Sequence, residues 1–114
     1  MALSSSGTVQ NTKTLCGNFA ISVNEESLIS HSVSSWRMGN MAFVAGTIAP
    51  KANGSDLALI GLEQASLKTI AFPVSVGNTG IGFGYIGSGG RTLIFTLTNG
   101  SGMSCRFFVG IPLA

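Results

Sequence analysis

The sequence predicts an all-β fold, an antiparallel β-sandwich or jelly roll of about seven or eight strands, in one domain over residues 15–114. Three observations predict it. Apolar residues alternate with polar or small ones in short runs, as strand neighbours do when one face is buried. Turn residues interrupt those runs at a spacing of about 8–12 residues. The 16 glycines, set against only 3 prolines, fall between the apolar runs without a three-residue period. That excludes a collagen or a disordered linker and leaves turns, bulges and close strand approaches.

Met1 to Thr14 is rich in Ser, Thr, Gly and Asn with no apolar period, and reads as an extended arm suited to docking on another subunit. From Leu15 the alternation of Phe19, Ile21 and Val23 predicts a first strand, closed by the polar stretch Asn24-Glu25-Glu26-Ser27. A second strand follows over Leu28 to Met38. Gly39-Asn40 supplies the positive φ values that a two-residue hairpin turn needs, and beyond it Met41, Phe43 and Ala45 alternate with Ala42, Val44 and Gly46 as far as Pro50. Lys51 to Asp56 has turn chemistry throughout and reads as an exposed loop. The run Leu57 to Leu62 fits either a strand or, with Ala65 and Ser66, a short helix continuing through Lys68. Thr69 to Val76 returns to a strand, and Pro73, which lacks a ladder donor, argues for an edge position or a bulge.

The last third is the most regular. Ile81, Phe83 and Tyr85 alternate with Gly82, Gly84 and Ile86. Ser88-Gly89-Gly90 turns, Leu93, Phe95 and Leu97 alternate with Ile94, Thr96 and Thr98, Asn99 to Gly102 turns again, and Met103 to Ile111 alternates to the end. Three such strands with tight turns predict an antiparallel meander. The glycines of the first would let a backbone or a ring lie flat against it.

At 114 residues, burial alone leaves a single domain only marginally stable. Charged residues are 9% of the chain, far below the usual share of about 25%. This depletion matches the cores of subunit interfaces and predicts a homo-oligomer. The six basic residues, Lys13, Arg37, Lys51, Lys68, Arg91 and Arg106, are scattered, so no stripe exists to displace counterions from a phosphate backbone and no nucleic acid is expected. No window approaches the roughly 18 apolar residues of a membrane helix, and no signal core opens the chain, so membrane insertion is not expected and assembly in a cytoplasm is. Cys16 and Cys105 are too far apart in sequence for a zinc knuckle or a redox pair; two buried free thiols are expected, although paired terminal strands would let them meet.

Catalytic chemistry is sparse. The one imidazole, His31, sits in a serine-rich strand, and Asp56 is the one aspartate from which a Ser-His-Asp site would have to be assembled. Paired carboxylates would have to come from Glu25, Glu26, Asp56 and Glu63, of which the first two are adjacent in a polar turn. No ligand spacing for a metal is present, Gly80 to Gly87 lacks the strand-to-helix setting of a dinucleotide loop, and no cofactor is expected. The chain reads as a non-enzyme. Candidate binding groups are the aromatic face of Tyr85 and the amides and hydroxyls of the polar loops, Asn53, Ser55, Asn78 and Asn99, which together suit a saccharide. Trp36 and Tyr85 also fit as core or interface rings.

The run Trp36 to Ile48, with its Trp-x-x-Gly-Asn-x-x-x-Val-x-Gly-x-Ile spacing, resembles the head domains that end bacteriophage tail fibres and baseplate receptor-binding proteins. The match covers Ser34 to Pro50, with a looser likeness in the final aromatic strand Arg106-Phe107-Phe108-Val109. The resemblance implies a trimeric β-sandwich in a virion that adsorbs to a host surface saccharide or protein through loops at its outer end, here Lys51–Asp56, Val76–Gly80 and Asn99–Gly102, with no catalytic residues. Family heads follow a long shaft, whereas here an arm of about fourteen residues precedes the domain. That arm would dock on other virion proteins, in a separate tip subunit or, as the alternative, in a capsid decoration protein that clamps the shell.

Overall fold

The Trp36-containing hairpin is the longest paired unit of the molecule. β3 (Leu28–Met38) and β4 (Met41–Pro50) pair antiparallel from Met38↔Met41 back to Leu28↔Pro50, with one irregularity between Leu28 and Ser30. The turn between them takes a positive φ at Gly39 alone, +59°, so Asn40 keeps ordinary backbone and the pattern is that of a II′ turn. The computed structural model describes residues 16–98 and 102–113. The predicted arm, Met1 to Thr14, lies outside them.

Nine strands form among the described residues, two of them very short. Where one first strand is expected, the chain makes β1 (Cys16–Gly17) and β2 (Ile21–Val23), followed by a single 3-10 turn over Glu25–Ser27. β5 (Gly54–Leu62), β6 (Ile70–Val76), β7 (Gly80–Ile86), β8 (Thr92–Leu97) and β9 (Cys105–Pro112) complete an antiparallel sheet of order β1-β3-β4-β9-β6-β7-β8-β5-β2. The fold is therefore all-β and antiparallel. No described helix is long and apolar enough to cross a membrane.

β1 and β2 explain the shape of the sheet. They stand at opposite edges, β1 on β3 and β2 on β5, yet follow one another in the chain. Four Cα steps reach at most about 14 Å, so the sheet has rolled until its two edges nearly meet. Side chains pin the seam: Ser35 Oγ donates to the Phe19 carbonyl at 2.5 Å, Glu63 Oε1 accepts from the Ala20 amide at 2.6 Å, and Arg37 Nη1 donates to Gln64 Oε1 at 3.1 Å. The enclosed core draws side chains from β3 to β9, with Phe72, Phe95 and Phe107 in mutual contact at ring distances of 5.2 to 5.9 Å.

Four expectations change. The Lys51–Asp56 loop is shorter, because β5 already begins at Gly54. A bulge between Gly54 and Leu57 absorbs Asp56, whose φ of +55° lies in the left-handed region that aspartate tolerates. The helical option through Lys68 is not taken. Ser66 instead gives its amide to the Gly90 carbonyl and its hydroxyl to the Lys68 carbonyl, and bridges to Leu113. β6 is interior, between β7 and β9, so Pro73 does not mark an edge strand. β9 pairs only with Val74 to Val76, however, and the ladder on that side stops at the proline. The meander is β6-β7-β8, not β7-β8-β9. β9 lies between β4 and β6, facing β8 through the core where Phe95 meets Phe107 edge-on at 5.2 Å.

The cysteines are also separated. Cys16 is opposite Met38 and Cys105 opposite Ile48, seven residues further along β4 than Met41, which is roughly 23 Å of strand and beyond the reach of a disulfide. Cys105 is free and fully buried, and burial pushes its thiol pKa up.

Candidate functional site

Register alone decides which loops share an end. Val76 is opposite Cys105, Cys105 is opposite Ile48, and Pro50 is opposite Leu28, so the connections after β2, β4, β6 and β8 leave the sheet on the same side. Backbone bonds tie them together: Lys51 amide to Ser27 carbonyl at 3.0 Å, Gly102 amide to Pro50 carbonyl at 2.9 Å, and Gly77 amide to Ser104 carbonyl at 2.9 Å. The hairpin end lies opposite and gathers Gly39-Asn40, the segment after β5, Ser88 to Gly90 and the end of β9, through the Leu113 amide on Asn40 and the Leu67 amide on Pro112.

Of the predicted binding residues, Asn53 and Asn78 are exposed at the loop end, and Ser55 is exposed at the start of β5 beside them. Asn99 lies outside the described residues. The Tyr85 ring is apart from Asn53 and Asn78, although its hydroxyl reaches Asp56, the neighbour of Ser55. It stands half-buried on the outer face, opposite Ala71 and Ile94, five residues along β7 from Gly80 and so roughly 17 Å from that end. Its hydroxyl donates to Asp56 Oδ1 at 3.4 Å. A depression of about 260 Å³ opens at the loop end, floored by Leu57 and Leu59 and rimmed by Glu26, Ser27, Lys51 and Ala52.

The polar groups do not converge on chemistry. His31 Nε2 lies 3.3 Å from Glu25 Oε1, with both side chains open to solvent, and Asp56 is held by Tyr85 and, through its amide, by Thr96 Oγ1 at 3.3 Å. No group of three or more His, Cys, Asp or Glu side chains that could hold a metal gathers among the described residues.

A second surface was not legible as a site from sequence. β7 turns Gly82, Gly84 and Ile86 inward, and the Phe72 ring occupies the space that a Cβ at Gly84 would fill. Its large side chains are thereby sent outward, leaving Ile81 80% and Phe83 52% exposed. Beside Phe83 stands Pro73, and one strand further Phe108, 55% exposed. Phe108 stacks on Phe43 at 6.0 Å, and Phe43 on Trp36 at 5.7 Å. One apolar band thus crosses the outer face of β3, β4, β9, β6 and β7, with a shallow groove of about 480 Å³ over Pro73, Ile81 and Phe83. The available signal was the Ile-x-Phe-x-Tyr alternation with glycine between, which separates large from small without saying which is inside.

Comparison with protein-family models, with curated proteins and with solved structures returned no match.

Proposed function

We propose that the chain is a structural protein of a bacteriophage particle, the tip or head of a tail fibre or spike, and that it adsorbs to a host surface as a homo-oligomer without breaking a bond. The observation that carries this reading is the polarity of the domain. The loops with exposed amides, around Asn53 and Asn78, sit at one end, while the chain passes into the domain at Cys16, paired with Met38 at the other. The strand length that separates the loops from the entry of the chain supports a tip that is held at one end and recognises at the other. The tail-fibre resemblance supports it from a different direction, because the residues that carry it form one continuous hairpin, Trp36 opposite Phe43 across the Gly39-Asn40 turn. The mechanism is multivalent: several weak loop sites engage a repetitive surface saccharide or protein together.

The test is a binding assay with the full chain, fluorescently labelled, on a panel of bacterial hosts and on bare phage capsids. Coating of susceptible cells that is weakened at least tenfold by Asn53→Ala with Asn78→Ala supports the reading. Saturable binding to capsids without any to cells would replace it with a capsid decoration role.

A further inference from the structure

We infer that the outer face of β3, β4, β9, β6 and β7 is the surface on which a second copy of this chain docks. This deepens the adsorption reading by naming the partner that makes the loop sites multivalent; it rests on that reading for its purpose and on the face itself for its geometry.

Charge distribution is the first support. The four carboxylates of the whole chain, Glu25, Glu26, Asp56 and Glu63, all fall on the 3-10 turn, on β5 or just after it, and none on the five strands of this face. The outward positions there carry one formal charge, Arg106, which stands between Thr47 and Ser75 at the side nearer the loops. This face is thus nearly free of charge, as the desolvated centre of a subunit contact is.

Relief and size are the second. Between the rings the outward positions are small: Ala45 is opposite Phe108, Gly110 is opposite Phe43, and Ala71 is opposite Tyr85. Over Gly110 the Phe43 ring and Met41 already fill the space, so the open relief is the groove over Ala71, Pro73, Ile81 and Phe83, into which the rings of a like surface can fit. Five strands spaced about 4.8 Å apart, each contributing about seven residues, give a footprint of roughly 500 Å². The upright side chains raise the accessible area toward the roughly 800 Å² that each partner buries in a stable contact. A lipid surface is a poorer occupant, since a single arginine supplies little attraction for anionic headgroups.

The experiment is light scattering with size exclusion on the full chain over about 1 to 100 µM, where a specific contact shows as concentration-dependent mass. The wild type is expected to run as an oligomer and the double variant Ile81→Glu, Phe83→Glu as a folded monomer by circular dichroism. Leu67→Glu, an exposed apolar residue at the hairpin end, keeps the wild-type mass. Should the double variant not fold, Phe108→Gln carries the same expectation from the neighbouring strand. A monomeric wild type across the range, or an oligomer that survives these changes in a folded variant, overturns the assignment. Cell binding separates it from the adsorption reading. An oligomer that dissociates on substitution yet coats no cell keeps the interface and removes adsorption, whereas a monomer that coats cells does the reverse. If both hold, the monomeric variant loses on the order of 10²-fold in apparent affinity with its loops intact.

Discussion

β3 and β7 treat their outward faces in opposite ways. On β3 the outward positions beside β4 are small polar residues, Ser30, Ser32 and Ser34, until Trp36 is reached. On β7 they are Ile81, Phe83 and Tyr85, while glycines face the core. Both strands alternate with period two, so alternation fixes which residues share a face and leaves open which face is inside. In β7 the choice is made from outside the strand. Phe72 of β6, packed against Phe95 and Phe107, needs the space above Gly84, and a side chain there would push its ring against those two.

The largest change that would break this comparison is on the inner side. Phe95→Ala removes a fully buried ring and is expected to cost about 3–5 kcal/mol in chemical denaturation, enough to threaten folding of so small a domain. Gly84→Ala, one methyl on the inner face of β7, should cost about 1–3 kcal/mol by overpacking, a drop in Tm of roughly 4–12 °C. The double variant Gly84→Ala, Phe72→Leu should recover part of that loss if the ring is the obstacle. At the hairpin turn, Gly39→Ala meets no neighbouring atom but must hold φ near +59°, and about 1 kcal/mol is expected from backbone strain alone.

Smaller is the effect of the Cys105 thiol. Its folded pKa is raised by burial, so the unfolded chain releases the proton first. Its contribution is full below the ordinary value of 9.0 and declines as pH rises beyond it, a decline that Cys105→Ala should abolish in urea titrations between pH 8 and about 10. The smallest change is on the outer face. Phe83→Ser, made in the dissociated Phe108→Gln background, should shift monomer stability by no more than about 0.5 kcal/mol, and a larger loss would mean the ring already packs within its own chain.

What was legible in the sequence follows the range of the interactions involved. The β3–β4 hairpin was read with its bounds, because a two-residue turn and alternating neighbours are local. Turn chemistry likewise placed Asn53 and Asn78 in or beside loops. That the two loops share an end is implied by the resemblance alone, since in the fold it depends on the registers of β4, β6 and β9, which are far apart in sequence. For the same reason the sequence predicts β9 beside β8. Two alternating strands joined by a glycine-rich turn look like a hairpin whether they pair or face each other across a core, and contact between Phe95 and Phe107 decided it. The apolar band was hidden by the same ambiguity, as its members come from five strands and each alone passes for a core residue.

The short edge strand β1 has a mechanical consequence. Whatever precedes Cys16 is joined to the body by two rungs, Cys16 opposite Met38 and Gly17 opposite Arg37, before the chain crosses the seam. A pull between that point and the distal loops runs parallel to the strands. It loads those rungs and the β3–β4 ladder behind them in shear, where bonds yield together, rather than by peeling, where they yield one at a time. A sheet strained along its strands in this way resists the jolts of collision and drag far better than one gripped across them.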